Sequence, residues 1–213
     1  EKEDRVEKWT SQYSQIKPNC IEFDPAGFED GRLDLAIAFL RKFGKLDVDS
    51  FKNILKKSGK YILIGQHRFE VCTSKYLLAE NAPINFRPID FELGEKTLDS
   101  NFKVNCSMET KVGSEELDPM MAYIDLDKLV KPLYWRHPQN GDRFFPIGMK
   151  GSKKISDYLN EKGLSLLEKK NIWLLTSADS VVWIAGYRID RRFAANDQTS
   201  KAYFVRLTQE VFQ

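Results

Sequence analysis

The chain has 213 residues, of which 42% are hydrophobic and 12% aromatic, and its 33 basic and 31 acidic side chains leave a net charge of +2. This is the composition of a globular protein with one or two domains, and it excludes an intrinsically disordered chain. No apolar run in the sequence is long enough to cross a membrane as a helix.

Charge is distributed unevenly along the chain. Residues 1–130 carry a net charge of −4, whereas residues 131–213 carry +6. A local excess of positive charge attracts anionic partners even when the whole chain is close to neutral. The opening residues 1–5 are charged and show neither Met nor a signal-peptide pattern, so we expect a piece of a longer protein.

Cys20, Cys72 and Cys106 are widely separated and odd in number. This argues against a disulfide framework and indicates a reducing cytosol, where such thiols are buried and structural. Only His67 and His137 could join them, and no Cys-x-x-Cys spacing occurs, so no metal site is expected.

The first eighty residues predict a helical hairpin followed by strands. Apolar residues at helical spacing predict a helix over 28–43, and a second helix begins at about Asp49. Such a hairpin needs a partner to cover its apolar face, and that partner could lie upstream of residue 1. Segments 61–64 and 69–72 then predict a β-hairpin, with another strand at 76–78.

Short strands dominate the remainder of the chain. Ile155, Tyr158 and Leu159 predict one helix among them, with Ser152 as its N-cap and Gly163 at its end. Strands without regular alternation with helices indicate an α+β fold. The strands are predicted at 102–106, 121–125, 133–136, 172–175, 181–185 and 203–207.

We expect three segments: a helical part at 1–60, a strand-rich connecting part at 61–130, and a compact mixed domain of sheet and helix at 131–213. Two paired carboxylates, Glu115 and Glu116, fall in a polar loop and are interpreted as solvated. Neither histidine has neighbours that indicate a catalytic role.

The most informative stretch is residues 141–157, which combine three glycines, one proline and four basic residues before a predicted helix. Such a loop exposes backbone N–H groups beside cations, which suits a phosphate backbone. Gly148 and Gly151 fit the GxxG pattern of KH domains, but a strand and a helix flank them instead of two helices, and Walker A spacing is absent. The alternative is a tight turn with solvated lysines.

Lys153 and Lys154 open the predicted helix, where cations oppose the helix dipole unless an anion is bound. The alternative is two flexible surface lysines. Five arginines could each bind phosphate through two N–H groups, or could pair with Asp142, Asp157 or Asp190. Arg143, next to Asp142, is the arginine most expected to be partly structural. The five are Arg136, Arg143, Arg188, Arg191 and Arg192.

Aromatic residues in the same region could stack on bases. Trp173 and Trp183 lie within alternating strands, so the protein core is the favoured interpretation for both. Trp135, Phe144 and Phe145 are the other candidates.

A series of motifs in the last eighty residues resembles the C-terminal domain of bacterial tRNA(Ile)-lysidine synthetases. A looser likeness to the same family covers residues 28–80. The motifs, in order, are Pro132-Leu133, Arg136, Gly141-Asp142-Arg143-Phe144, Pro146 to Gly151, Lys153 to Asp157, Trp173-Leu174-Leu175, Val182-Trp183-Ile184 and Gly186 to Phe193.

This resemblance implies a compact α+β domain, similar to one in the phenylalanyl-tRNA synthetase β chain. It implies a bacterial cytoplasmic enzyme that uses ATP to ligate lysine to the wobble cytidine of tRNA(Ile). ATP, Mg and lysine would bind a separate N-terminal domain with a Ser-Gly-Gly-x-Asp-Ser loop, a string that this sequence does not contain. The chain would then have no catalytic residue, cofactor or metal of its own.

The resemblance further implies that this chain grips the acceptor stem of the tRNA. The residues expected to contact tRNA are Arg136, Arg143, Lys150, Gly151, Lys153, Lys154, Arg188, Arg191 and Arg192. The alternative is a protein–protein or self-association module without an RNA role, suggested by the helical hairpin and the acidic first half.

Overall fold

A computed structural model describes residues 2–17, 20–29, 31–81, 87–99, 102–110 and 118–209. Its contacts divide the chain into two compact units. The first comprises Glu1–Ile84 with Ser165–Leu167, and the second comprises Asn85–Leu164 with Glu168–Gln213. The boundaries expected after residues 60 and 130 fall inside these units. Glu115 and Glu116 lie outside the described residues.

The first unit is a five-stranded antiparallel sheet with three helices. Its elements are α1 (Lys2–Tyr13), β1 (Ser14–Lys17), β2 (Cys20–Phe23), α2 (Leu33–Leu40), α3 (Val48–Ile54), β3 (Lys60–Ile64), β4 (His67–Val71) and β5 (Tyr76–Glu80). The strand order in the sheet is β1-β2-β5-β4-β3.

The helices of this unit differ from the sequence prediction in number and length. Helix α1 was not predicted, because only Val6 and Trp9 are buried along its twelve residues and charged side chains hide the pattern. The helix predicted over 28–43 is shorter, because Pro25–Phe28 and Arg41–Phe43 form 3₁₀ turns at either end of α2.

An aromatic core covers the apolar face of the α2–α3 hairpin from within the chain. Trp9, Phe23, Phe28 and Phe69 are all buried, and their ring centroids lie 5.6–6.1 Å apart in several pairs. The indole N–H of Trp9 donates to the carbonyl of Gly27 over 2.8 Å. Within the described residues, this core buries Ala36, Ile37, Phe39 and Leu40 of α2 and Phe51 of α3.

The predicted β-hairpin is confirmed, with a tighter turn than expected. Strands β3 and β4 pair from Lys60 with Val71 to Ile64 with His67, which leaves Gly65 and Gln66 as the turn. Gly65 has a φ of +59°, and a Cβ there would lie 2.5 Å from the carbonyl oxygen of Phe43. Only glycine fits this turn without displacing its neighbour.

The second unit contains three antiparallel sheets. The elements beyond residue 85, among which α5 includes two residues of the first unit, are β6 (Ile89–Asp90), β7 (Gly94–Thr97), β8 (Phe102–Glu109), β9 (Met121–Asp125), β10 (Leu133–Arg136), β11 (Arg143–Phe144), β12 (Lys153–Lys154), α4 (Ile155–Glu161), α5 (Leu166–Lys170), β13 (Leu174–Ser177), β14 (Ser180–Ile184), β15 (Arg188–Ile189) and β16 (Ala202–Gln209). The strand orders of the three sheets are β15-β14-β13-β10-β6, β7-β8-β16-β9 and β11-β12.

The α+β class is confirmed, as are the six strands predicted beyond residue 100. Trp135, Trp173 and Trp183 are buried with the inner residues of β8, β9 and β16. A second cluster packs α4 against β13 and β14 through Phe144, Ile155 and other apolar side chains. These two clusters fix the positions of the segments around residues 143–154 and 188–192.

Cys106 belongs to the core of the second unit, and burial raises the pKa of its thiol to about 12. Cys20 and Cys72 are half-buried, and none of the three cysteines forms a disulfide. Within the described ranges, no helix is long and apolar enough to span a membrane.

Candidate nucleic-acid interface

Residues 145–152 form a loop whose two ends are held together by a short ladder. Arg143 pairs with Lys154 and Phe144 with Lys153, so β11 and β12 close the loop at its base. Within the loop, the N–H of Met149 donates to the carbonyl of Pro146 over 3.2 Å, and Gly148, between them, has a φ of +86°. The sequence pattern of glycine and proline therefore produces a tight turn here.

Asp190 anchors this loop from inside the protein. Its side chain is fully buried, and Oδ2 accepts a hydrogen bond from the N–H of Phe145 over 2.9 Å. Both carboxylate oxygens also accept from the guanidinium of Arg192, and Oδ1 accepts from its backbone N–H. The buried charge is thereby paired and hydrogen-bonded, as a buried carboxylate requires.

Two more arginines hold the loop through its carbonyl oxygens. Arg191 donates from its guanidinium to the carbonyls of Met149 and Lys150, while Arg188 donates to that of Ile147 over 3.4 Å. The backbone N–H of Arg191 also donates to Phe145 O over 2.9 Å. We call residues 145–152 the clamped loop, because these side chains hold it at several points.

Cations surround the clamped loop on the exposed side. Arg188 and Arg191 contact the loop itself, and Arg143 and Lys154 face each other at its base. Their side chains are exposed, so they are accessible to an anion while still fixing the loop. The exposed cations, which we call the basic surface, are Arg143, Lys150, Lys154, Arg188, Arg191 and Arg192.

Arg136 is not part of the basic surface: it is the last residue of β10 and is buried. Its Nη1 and Nη2 atoms donate to Asp142 Oδ2 and Oδ1 over 2.7 and 2.8 Å, and only 9% of the residue is exposed. Asp142 is thus the partner of Arg136, not of the adjacent Arg143. Arg143 donates instead to the hydroxyl and carbonyl of Ser152 over 2.8 and 3.1 Å.

The two lysines predicted to open a helix lie in strand β12 instead. The helix begins one residue later, at Ile155, with Lys154 as its N-cap and without a side-chain capping bond. Ser152 was therefore wrongly predicted as the N-cap, because the ladder to β11 extends the chain through both lysines. Lys153 is half-buried and ion-paired with Glu161, whereas Lys154 is exposed.

The aromatic candidates are mostly in the core. Trp135, Trp173, Trp183 and Phe144 are at most 4% exposed, which confirms the core interpretation of Trp173 and Trp183. Phe145 is half-buried, with the guanidinium carbon of Arg192 4.3 Å from its ring centroid. These side chains provide no platform on which a base could stack.

Tyr158 connects helix α4 to this region. Burial raises the pKa of its hydroxyl, and the nearby positive charges of Arg188 and Lys153 oppose that rise. Its ring also packs edge-on against Phe144. The tyrosine is therefore a structural support beside the basic surface.

His137 is a structural residue as well. Its Nδ1 lies 2.8 Å from the carbonyl of Ile172, and its ring lies 4.0 Å from that of Trp173. Burial lowers the pKa of the imidazole. No group of three or more His, Cys, Asp or Glu residues is placed to hold a metal in the described part of the chain.

Sequence reasoning missed a second group of cations, in the first unit. A cleft of about 650 Å³ between its helices is lined by Lys2, Arg5, Arg41 and Lys52, with one acid, Asp34. The sequence signal that could have revealed this group is the three-residue spacing of Lys2, Arg5 and Lys8, which places them on one face of α1. That signal could be read only once α1 was recognised as a helix.

The α+β fold of the chain has a counterpart among solved structures. A crystal structure of a TilS C-terminal domain superimposes with a TM-score of 0.55 at 16% identity, covering 59% of this chain and 98% of that one. An N-terminal fragment of a phenylalanyl-tRNA synthetase β-subunit from Pyrococcus horikoshii gives a TM-score of 0.40 at 11% identity, covering 80% of this chain and 65% of that one. The first match defines the class as an α+β domain of the TilS C-terminal type.

The sequence identifies the family more narrowly. Residues 133–205 match the model of the TilS substrate C-terminal domain. The chain therefore contains a domain of the TilS C-terminal family, as the motifs in its last eighty residues indicated.

Two curated relatives show how much of a whole protein the chain represents. A tRNA(Ile)-lysidine synthase of Parabacteroides distasonis is 33% identical over 172 residues, which is 81% of this chain and 36% of that protein. A tRNA(Ile)-lysidine synthase of Bacteroides thetaiotaomicron is 37% identical over 86 residues, 40% of this chain and 20% of that protein. The chain thus spans about a third or less of the relatives it matches.

Proposed function

We propose that this chain is the tRNA-binding portion of a tRNA(Ile)-lysidine synthase and that its basic surface grips the acceptor stem of tRNA(Ile). The observation that carries the proposal is the arrangement of six exposed cations around one clamped loop. Asp142 pairs with Arg136, which is not one of these cations, whereas Asp190 offsets the charge of Arg192. Among the residues that the structure describes, no ion pair engages the other five cations, so the surface keeps most of its positive charge.

The parent protein would be a bacterial cytoplasmic ligase that attaches lysine to tRNA with ATP. ATP, Mg and lysine would bind to a part of it that this chain does not include. The described residues contribute binding and orientation to that reaction, and no step of the chemistry is assigned to them.

The chemistry of the basic surface suits a duplex stem. Double-stranded RNA is recognised mainly by its shape, its phosphates and its 2′-hydroxyl groups, and splayed bases are not needed. A surface with several guanidinium and ammonium groups and a buried set of aromatic rings matches that mode of recognition. Arginine adds paired N–H donors for phosphate oxygens.

Two of the residues expected to bind tRNA act differently in this proposal. Arg136 and Lys153 are engaged in ion pairs with Asp142 and Glu161. We assign them to the support of the loop base, and we assign the phosphate contacts to the basic surface. The space beside Gly151 is open, since no protein atom lies within 4 Å of where a Cβ would be, so RNA has room to approach the backbone there.

A salt titration of RNA binding tests the proposal. The logarithm of the affinity for tRNA(Ile) should fall linearly with the logarithm of salt concentration, and replacing Lys150 or Lys154 with Ala should each reduce the slope by about 0.7–0.9. Lys96→Ala is the control, because Lys96 lies on β7, in a different sheet from the β11–β12 ladder, and is paired with Glu92. A slope near zero for the wild-type chain contradicts the proposal.

Competition with fragments of the tRNA tests whether the chain binds the acceptor stem or another part of the molecule. A minihelix with the acceptor stem should compete with the whole tRNA, whereas an anticodon hairpin should compete weakly. Size-exclusion chromatography with light scattering addresses the rival self-association function. A tight dimer that ignores tRNA would favour that rival, although the helical hairpin that suggested it has its apolar face covered within the first unit.

A further inference from the structure

The clamped loop exposes two apolar side chains in the middle of the basic surface. Ile147 is 49% exposed and Met149 is 44% exposed. Exposed apolar residues are common one at a time, but here two of them stand two positions apart at the tip of one loop. Their position beside Lys150 and Arg188 makes them part of the surface proposed to meet RNA.

The loop is held so that these side chains stay outside. The carbonyls of Ile147 and Met149 accept hydrogen bonds from Arg188 and Arg191, and Phe145 is fixed to Asp190 just before them. An unclamped loop could fold its apolar residues onto the protein and remove them from water, which is favourable. The arginines prevent this, and so they preorganise an apolar tip for a partner.

We propose that Ile147 and Met149 lie in the minor groove of an RNA duplex while the basic surface contacts the phosphates on either side. This inference rests on the proposed function and specifies how the same surface contacts the stem. The minor groove of A-form RNA is wide and shallow, so its sugar and base edges are open to side chains. Proteins that enter the minor groove of DNA also use Ile and Met as apolar contacts.

Apolar and ionic contacts respond differently to salt, which gives the test. The double variant Ile147→Ser with Met149→Ser should bind an acceptor-stem duplex about tenfold more weakly at every salt concentration, with an unchanged salt slope. Lys150→Ala should instead reduce the slope. Two variants serve as matched controls, because Met108 and Val130 are also exposed in the second unit, and Met108→Ser and Val130→Ser should leave the affinity unchanged.

A second measurement reports the contact without a substitution. The chain has four methionines, so protein labelled at the methionine methyl groups gives four NMR signals. Addition of the duplex should shift the Met149 signal and leave that of Met108 in place. A dumbbell duplex with both ends closed by loops should give the same shift, because the proposed contact is with the groove and not with an end.

Different results would overturn different statements. If the wild-type chain shows no salt-dependent RNA binding, the proposed function and this inference both fail. If the wild type binds but the double variant binds equally well, or the Met149 signal does not move, only the inference fails. It also fails if the effect disappears with the dumbbell, since the apolar tip would then stack on a duplex end.

Discussion

The guanidinium of Arg136 donates two hydrogen bonds to the carboxylate of Asp142, over 2.7 and 2.8 Å. Asp142 Oδ2 also accepts from the N–H of Gln139 over 2.7 Å. The pair therefore links the end of β10 to the turn that leads into β11 and the clamped loop.

Arg136→Ala should lower the free energy of unfolding by about 3 kcal/mol, because it leaves Asp142 without its partner in a largely buried position. Urea denaturation of the chain measures this. Arg143→Ala, which removes an exposed arginine bonded to Ser152, should cost less than about 1 kcal/mol. Equal losses for the two variants would contradict a structural role for Arg136.

Asp190→Ala should cost about 3–5 kcal/mol, because two backbone N–H groups and the Arg192 guanidinium lose a fully buried acceptor. Hydrogen exchange at the Phe145 amide should also accelerate, since that N–H bonds to the carboxylate. Asp157→Ala is the control, as Asp157 is exposed on α4 and should change stability by less than about 0.5 kcal/mol. Slow exchange at Phe145 in the Asp190 variant would show that the anchor is not needed.

Gly65→Ala and Gly59→Ala separate two effects of glycine. Both residues have a positive φ, so each substitution should cost about 1 kcal/mol from backbone strain. Only at Gly65 would the new Cβ meet another atom, the Phe43 carbonyl oxygen at 2.5 Å. Gly65→Ala should therefore cost about 1–3 kcal/mol more than Gly59→Ala in denaturant unfolding. Equal losses of stability for the two variants would mean that the chain around Phe43 moves away from residue 65 without cost.

The Cys106 thiol should make stability depend on alkaline pH. Burial raises its pKa from an ordinary value of 9.0 to about 12, so between these values the unfolded chain loses the proton and the native chain keeps it. Stability then falls as pH rises, by up to about 1.4 kcal/mol per pH unit from this group. Urea unfolding at pH 8, 9 and 10 should show a shallower decline for Cys106→Ala than for wild type. Parallel declines would exclude the contribution.

The elements that could be predicted from the sequence are those whose apolar residues recur with the period of the secondary structure that the backbone adopts. Strands such as β13, β14 and β16 are rich in apolar residues and are flanked by clear turn residues, so their existence and approximate bounds could be predicted from the sequence. Helix α1 did not, because its core contacts are limited to Val6 and Trp9. The early strands β1 and β2 were missed too, since only Phe23 among their described residues is fully buried.

The candidate interface was predictable in place but not in detail. The glycines and cations of residues 141–157 located the loop, and two of the three candidate aspartates, Asp142 and Asp190, do pair with arginines. The pair of Lys153 with Glu161 was not foreseen. Which arginine pairs with which aspartate depends on contacts between distant segments, such as Asp190 with Phe145, that local patterns do not contain. The extension of Lys153 and Lys154 into a ladder with Arg143 and Phe144 is of the same kind.

The ladder between β11 and β12 also has a bearing on protein engineering. Because Arg143–Phe144 and Lys153–Lys154 pair with each other, the residues between them start and finish at neighbouring points in space. A segment with such ends can be exchanged as a cassette, in sequence and in length, while the surrounding strands keep their register. Replacing residues 145–152 with the corresponding segment of another TilS C-terminal domain would therefore test whether the proposed RNA binding depends on these eight positions alone.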